Sequence, residues 1–237
     1  ALSRTPSLEL VQGEAVALDV SRETINGVTL ADGRHLRCRS LVLATGTFLK
    51  AKVVIGDRSY AAGRVGELPA QRLSASLVAA GLELERFQSA TPPRIDGATI
   101  DPSRMLLQEG DTAPWSFSHW QIPRARKQLP CYLTHTTPAT HEVVSKHLHL
   151  SPLKSGSVSG KGPRYCPSID RKLINFPERQ HHPVFVEPEG VTTREMYLQG
   201  LTTSLPVFVQ EMMIHATPGL ESARLVRPGY AVEYDYL

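Results

Sequence analysis

The sequence lacks the features that define several classes of protein. Its 237 residues contain no apolar run long enough to span a membrane, and no charged-then-apolar leader opens the chain. Its three cysteines, Cys38, Cys131 and Cys166, are widely spaced and form no CxxC pair, so neither a disulfide framework nor a zinc site is expected. We therefore expect a cytosolic protein with free thiols.

Motifs for phosphate binding, hydrolysis and metal binding are also missing. No GxGxxG follows a first strand, and Gly63–Gly66 has no strand-turn-helix context. No GxSxG motif indicates a serine hydrolase, and the nine histidines have no partners at metal-ligand spacing. The chain is therefore either not a nucleotide-binding protein or a piece of one.

The composition that is present is typical of a globular protein with one large or two small domains. Hydrophobic residues make up 41% and charged residues 21% of the chain. The net charge of +3 is compatible with a polyanionic partner. The basic cluster of Arg124, Arg126 and Lys127 fits either a nucleic-acid contact or a solvated loop.

The first part of the chain has the pattern of a β-meander. The predicted strands are 8–11, 15–20, 28–30 and 35–46. Turn signals stand at Asn26-Gly27 and Asp32-Gly33. Within the last strand, the apolar run Ser40–Ala44 predicts a strand covered on both faces, which ends at Thr45-Gly46-Thr47.

Three segments have helical periodicity. The first, 68–80, has Leu73, Leu77 and Val78 on its apolar side and ends at Gly81. The second begins after the cap residue Thr137. The third is capped by Ser204, starts at Pro206 and is expected to bury Val209, Met212 and Met213.

The remaining segments are predicted as strands or loops. Segment 82–88 and the closing YAVEYDYL read as strands. Segment 89–130 predicts a long loop, and 151–163 predicts a flexible one.

A lone cysteine in KGPRYCPSIDRK (161–172) is the strongest chemical candidate. Arg164, Arg171 and Lys172 surround Cys166, and neighbouring cations lower the pKa of a thiol. The alternative is a half-buried loop cysteine without chemistry. Prolines also stiffen 91–96, 162–168 and 187–190, which would present Arg94, Arg164 and Glu189 on rigid loops. The two arginines suit phosphate recognition, and the alternative is that all three segments are only structural loops.

Several unusual motifs, in order along essentially the whole chain, resemble one known family. They are LATGTFL (43–49), ATPPRID (90–96), PCYLTHT (130–136), GPRYCPSID (162–170), EPEG (187–190), TSLP (203–206) and RPGYAVEYDY (227–236). The chain closely resembles the GidA/MnmG family of flavin-containing enzymes that modify the wobble uridine of tRNA.

The resemblance implies an α/β fold: part of a glutathione-reductase-like, Rossmann-type FAD domain with a β-meander, plus an inserted α/β domain. We expect a partial FAD domain at 1–88, the inserted nicotinamide and substrate domain at 89–226, and a return toward the FAD domain at 227–237. Family members are longer and carry their pyrophosphate loop upstream, so the chain looks like a central fragment.

The resemblance also implies the chemistry. The family uses FAD, NADH and methylene-tetrahydrofolate, works with the GTPase MnmE on tRNA, and forms cytoplasmic homodimers. Two alternatives are the related folate- and FAD-dependent tRNA uridine methyltransferase, and a non-catalytic fragment that binds only NADH, tRNA or the GTPase. The long 89–200 insertion and the GPRYCPS loop favour the wobble-uridine enzyme.

The implied site residues fall into three groups. Those facing FAD are Ala15, Thr45, Gly46, Thr47 and Ala70, the last standing where a serine is common. Those of the nicotinamide segment (162–176) are Gly162, Pro163, Arg164, Tyr165, Cys166, Pro167, Ser168 and Lys172. Cys166 is the implied catalytic residue, and Arg94, Arg126 and Lys127 are the candidates for substrate contacts.

Overall fold

The computed structural model describes residues 2, 5–111, 113, 115, 119, 128–162 and 168–237 as a mixed α/β structure. The chain divides into two compact units. The first comprises 1–53, 60–87 and 232–237, and the second comprises 54–59 and 88–231. The expectation of an α/β fold is confirmed at this level of detail.

The described residues contain the following strands and helices. The strands are β1 (Ala15–Ser21), β2 (Thr24–Leu30), β3 (His35–Arg37), β4 (Lys52–Ile55), β5 (Arg58–Ala61), β6 (Glu85–Thr91), β7 (Arg94–Asp96), β8 (Leu106–Gln108), β9 (Cys131–His135), β10 (Pro183–Pro188), β11 (Glu195–Gln199), β12 (Leu225–Arg227) and β13 (Tyr230–Tyr236). The helices are α1 (Leu73–Ala79), α2 (Pro138–His147), α3 (Pro152–Ser155), α4 (Ile169–Asn175) and α5 (Val207–His215).

The predicted meander is confirmed as the antiparallel sheet β1-β2-β3, but one predicted turn is wrong. Asn26-Gly27 lies inside β2, and the β1–β2 hairpin turns at Arg22 and Glu23, whose φ angles are +50° and +62°. A Cβ at Gly27 would lie 2.6 Å from the carbonyl oxygen of Leu36. Gly27 therefore serves close strand packing rather than a turn.

The predicted strands at 8–11 and 40–44 are also wrong. Both segments lack strand structure, and Val42 is 87% exposed. A strand covered on both faces needs neighbours on either side, and the described residues pair none with this segment.

Helix α1 is shorter than its predicted span of 68–80. Leu73 and Leu77 are buried as expected, but Val78 is 57% exposed. The predicted start at 68–70 is not helical because Ala70 is in an extended pairing, donating its N–H to the Phe48 carbonyl. The helix ends at Ala79, and Gly81, two residues later, has the φ of +87° expected of the predicted stop.

The second unit is built on a six-stranded antiparallel sheet. Its strand order is β12-β7-β11-β10-β9-β8. Val184 and Val186 alternate with half-buried or exposed neighbours, and Val186 pairs with Leu198, so this face packs into the core with α2 and α5. Thr137 caps α2 in a capping box with Thr140, which confirms the predicted helix start.

The segments predicted as loops contain short elements. The predicted loop 89–130 carries β7 and β8, and 151–163 carries the four-residue helix α3. Strands of three residues are too short to produce detectable alternation, so the pattern concealed them.

Helix α5 starts near its predicted position but not by the predicted cap. Pro206 is the N-cap residue, and the buried Ser204 hydroxyl has no hydrogen-bond partner among the described residues. Val209 and Met213 are buried as predicted, whereas Met212 is 44% exposed.

The remaining four strands form a sheet of order β5-β4-β13-β6. The predicted closing strand is confirmed as β13, but its acidic residues are buried. Lys52 Nζ lies 2.8 Å from Glu233, and Arg86 donates to Asp235 at 2.7 Å. A buried carboxylate is tolerated because it is paired in this way.

Among the described helices, none combines the length and apolar character needed to cross a bilayer.

Gln210 offers a direct test of the second unit's packing. Its buried amide donates to the carbonyls of Leu205 (2.7 Å) and Gly229 (2.9 Å) and accepts from the Gly229 N–H (2.6 Å). Gln210→Leu leaves these backbone groups unpaired, so we expect a loss of about 3 kcal/mol in the free energy of unfolding, measured by urea denaturation.

Glu211→Leu on the exposed side of α5 is the control, with an expected change within about 0.5 kcal/mol. Equal stabilities of the two variants would contradict the role assigned to Gln210.

Candidate functional site

The residues predicted to face a flavin lie around one hydrophobic cluster of the first unit. Leu49, Leu73 and Leu77 form this cluster, and Ala15 and Ala70 pack against it. The structure therefore brings together two positions that are 55 residues apart in the sequence.

The turn at Thr45-Gly46-Thr47 is joined to the same region by backbone bonds. The Phe48 N–H donates to the Thr45 carbonyl at 3.2 Å, and the Phe48 carbonyl accepts from Ala70 at 2.9 Å. Gly46 has a φ of +56°, and the Thr47 hydroxyl donates to the Gly63 carbonyl at 2.8 Å. The turn is thus fixed, with the left-handed residue exposed.

Packing explains why position 63 is a glycine, which the sequence did not reveal. A Cβ at this position would lie 2.0 Å from the Phe48 ring. This glycine allows the aromatic ring to pack against the backbone, and it explains a glycine that fits no phosphate-binding motif.

In the second unit, the candidate nicotinamide segment is anchored at both ends. Before it, the Lys161 carbonyl accepts from Gln88 at 2.9 Å. After it, Ile169 donates to the Thr202 carbonyl at 2.8 Å, and Ser168 caps α4. The residues between these anchors, Pro163, Arg164, Tyr165, Cys166 and Pro167, lie outside the described residues.

A buried carboxylate stands directly after this segment. Asp170 is 2% exposed and accepts from the hydroxyls of Ser151 at 2.8 Å and Thr203 at 3.1 Å. Burial raises the pKa of Asp170, against the opposing effect of these hydrogen bonds. The sequence reasoning missed all three residues as a group, although two lie in the motifs GPRYCPSID and TSLP.

Lys172 is partly withdrawn from solvent. Its Nζ donates to the Gly200 carbonyl at 3.0 Å, and burial lowers the pKa of its ammonium group. Burial and the nearby Lys172 charge also lower the pKa of His182, whose Nε2 has no partner among the described residues. An amine with a lowered pKa exchanges a proton more readily near neutral pH.

Arg94 is held by partners within the unit. Its guanidinium donates to Glu189 (2.7 Å) and to Pro92 (2.8 Å) and lies 4.6 Å from the Tyr197 ring centroid. The structure thus joins two proline-flanked motifs, ATPPRID and EPEG. A substrate anion at the Nε of Arg94 would have to displace Glu189. The other candidates for substrate contact, Arg126 and Lys127, lie outside the described residues.

The described thiols are free, and that of Cys131 is poorly suited to nucleophilic chemistry. Cys38 and Cys131 form no disulfide. Burial, followed by the charge of Glu187, raises the pKa of Cys131. In the part of the chain that the structure describes, no group of His, Cys, Asp and Glu side chains is arranged to hold a metal ion.

Comparison with protein families gives a match over the whole chain. A family model described as "Glucose inhibited division protein A" covers residues 1–237. The chain is 44% identical over 234 residues to the tRNA uridine 5-carboxymethylaminomethyl modification enzyme MnmG of Bacillus subtilis, with coverage of 99% of this chain and 37% of the relative. The enzyme of the same name from Heliobacterium modesticaldum is 42% identical over 236 residues, with 100% and 37% coverage.

Solved structures show the same similarity. GidA from Aquifex aeolicus has a TM-score of 0.91 and 40% identity in its form I crystal, over 100% of this chain and 40% of that one. In the form II crystal the TM-score is 0.89 and the identity 38%, over 100% and 38%. The chain thus spans about 37% of the length of the curated relatives it matches.

Asp170→Asn tests the buried carboxylate. Because the folded-state pKa is raised above the ordinary value of 3.8, the folded state holds the proton more tightly than the unfolded chain. The stability of the wild type should therefore fall as pH rises from about 4 through the raised pKa. Asparagine does not ionise, so the variant should gain stability relative to the wild type over this range in urea titrations.

Asp101→Asn is a control in which the pH dependence of stability has the opposite sign. Hydrogen bonds from Ser103 lower the pKa of Asp101, so its stabilising effect is present at neutral pH and is lost as pH falls through the lowered pKa. If the Asp170→Asn difference were independent of pH, the assignment of a raised pKa would be wrong.

Proposed function

The chain belongs to the GidA family, and from this we propose that it is the central part of a flavin-dependent enzyme that modifies C5 of the wobble uridine in tRNA. The observation that supports this most directly is the match of the family model to residues 1–237. It is reinforced by 44% identity to a relative named as a tRNA uridine 5-carboxymethylaminomethyl modification enzyme. Because the chain spans 37% of that relative, the activity is proposed for the whole protein.

The first unit suits the flavin side of a glutathione-reductase-like FAD domain. Ala15, Thr45, Gly46, Thr47 and Ala70 are small and lie at one fixed region around the Leu49 cluster. Small residues let a large planar ligand approach the backbone. The chain has no glycine-rich pyrophosphate loop, so another part of the protein would hold the diphosphate. When bound, FAD would supply two-electron redox chemistry.

The segment 162–176 is proposed to bind the reduced nicotinamide. Gly162, Ser168 and Lys172 stand on either side of Pro163–Pro167, and the backbone bonds of Lys161 and Ile169 hold its two ends. Fixed ends reduce the conformational entropy that a binding loop loses when its ligand arrives. Because burial lowers the pKa of Lys172, its side chain supplies an amine that can exchange protons beside this segment.

Cys166 is the proposed catalytic residue. C5 of uracil is a poor nucleophile until a group adds to C6, and a thiolate can make that addition. A C–S bond would form at C6 as the C5–C6 double bond opens, and C5 would then attack the methylene carbon of the iminium form of methylene-tetrahydrofolate, whose C=N π electrons pass to the folate nitrogen. Displacement of that nitrogen by an amine would release the folate. Loss of the C5 proton would expel the thiolate and restore the ring. Arg164 and Lys172 would stabilise the thiolate or the tRNA phosphates.

The proposal includes the partners and setting expected for the family. These are tRNA, the GTPase MnmE and a second copy of the protein, in the cytoplasm. Arg94, Arg126 and Lys127 remain the proposed contacts to tRNA. The wobble base must leave its stack to react, so aromatic and arginine contacts are expected at the site.

The test is restoration of the tRNA modification in cells that lack their own enzyme, measured by mass spectrometry of tRNA nucleosides. The intact protein should restore the 5-carboxymethylaminomethyl-type nucleoside. Cys166→Ser should lower the product at least about 100-fold because it removes the nucleophile. Cys131→Ser is the matched control and should leave the product unchanged, since the pKa of that thiol is raised.

Normal modification by Cys166→Ser would remove the proposed role of this residue. Appearance of 5-methyluridine in place of the wobble product would favour the folate-dependent methyltransferase instead.

A further inference from the structure

The second unit contains a cavity of about 550 Å³ that has no part in the chemistry described above. We name it the Phe208 cavity. Three segments line it: the tip of the β4–β5 hairpin, the stretch after α2, and the first turn of α5. Its lining residues are Ile55, Gly56, Asp57, Arg58, His149, Leu150, Ser155, Ser157, Pro206, Val207 and Phe208.

One wall of the cavity is apolar and exposed. Val207 and Phe208 are 41% and 50% exposed, although α5 buries Val209 and Met213 on its other side. The Phe208 ring contacts His147 edge-on, with 5.6 Å between centroids. A half-exposed aromatic ring at the border of a cavity can stack on a flat ligand.

The lining formed by Arg58 and the start of α5 favours an anion. The Arg58 guanidinium has neither an ion pair nor a hydrogen bond with the described residues, although Asp57 lies beside it in the sequence. The first hydrogen bond of α5 is donated by the Val209 N–H to the Pro206 carbonyl. The N–H groups of Val207 and Phe208 come before it in the chain and have no partner within the helix. Unpaired N–H groups and an unpaired guanidinium together attract phosphate.

The hairpin tip that precedes Arg58 is held against the segment that leads into α5. The Gly56 N–H donates to the Ser204 carbonyl at 2.7 Å. Gly56 has a φ of +56°, and a Cβ there would lie 2.8 Å from the Pro206 ring. The hairpin tip that carries Arg58 therefore keeps a fixed position relative to α5, and the cavity is built before any ligand arrives.

Polar groups complete the lining at the stretch after α2. Ser155 and Ser157 share a hydrogen bond of 2.9 Å, and the exposed His149 ring lies at the same edge. Hydroxyl and imidazole groups match the hydroxyls of a sugar and the polar edge of a base.

We propose that the Phe208 cavity binds a phosphorylated nucleoside. The base stacks on Phe208, and the phosphate is held by Arg58 and the N–H groups of Val207 and Phe208. The nucleotide comes either from a free mono- or dinucleotide or from an unstacked position of RNA. The second source rests on the proposed function, because it requires tRNA as the substrate.

Binding to the intact protein tests the proposal by calorimetry, with 5′-AMP, NADH and a short single-stranded oligouridylate as probes. We expect saturable binding of 5′-AMP at one site. Arg58→Ala should weaken it about tenfold by removing a charge-assisted bond to phosphate. Phe208→Leu keeps an apolar side chain but removes the stacking face, and should weaken binding at least about fivefold.

Arg39→Ala is the matched control, because Arg39 is exposed in the first unit, where it has no ion pair with the described residues. It changes the net charge equally and should alter the affinity less than about twofold. Circular dichroism melting of each variant verifies that the fold is retained.

The probes separate the two sources. Displacement of 5′-AMP by the oligouridylate supports an RNA nucleotide, and displacement only by NADH supports a free nucleotide. No saturable binding of any probe, or equal affinities in the wild type, Arg58→Ala and Phe208→Leu, would overturn the proposal.

The same preparations are assayed for tRNA modification. Modification without nucleotide binding at the Phe208 cavity rejects this inference alone, whereas binding without modification rejects the proposed function alone.

Discussion

The buried carboxylate of Asp170 is the constraint on which the candidate site of the second unit depends. An ionised group in the interior is costly unless hydrogen bonds satisfy it, so Ser151 and Thr203 must keep their positions. Asp170 belongs to the first turn of α4, which begins where the segment 163–167 ends. The same bonds that make the carboxylate tolerable therefore fix one end of the proposed nicotinamide segment.

The motifs that stand out in the sequence are bound to one another in the structure. Arg94 of ATPPRID pairs with Glu189 of EPEG, and Asp170 of GPRYCPSID pairs with Thr203 of TSLP. Polar residues that resemble ligand contacts in the sequence thus form part of the internal framework. This framework supports a binding role indirectly, because stiff supporting bonds keep a loop close to its productive shape.

Local features of the fold followed from the sequence where neighbouring residues decide the outcome. Thr137 caps α2 because its hydroxyl accepts from the N–H three residues later, and Gly81 ends α1 because it adopts a positive φ without strain. The prediction of a turn at Gly27 was wrong because the contact that requires glycine there is with β3, the neighbouring strand. Met212 was misread because helical spacing does not tell which of two neighbouring apolar residues faces the core.

For the candidate site, the sequence by itself determined the family, since many short motifs in a fixed order identify a relative without any knowledge of contacts. It also made Cys166 a candidate nucleophile, because the cations proposed to activate it are its neighbours in the chain. Only the tertiary structure decided that Asp170, Ser151 and Thr203 share one buried site and that Arg58 meets the start of α5. The physical reason is that burial, pKa shifts and cavities arise from residues distant in the sequence, whereas turns and caps arise from neighbours.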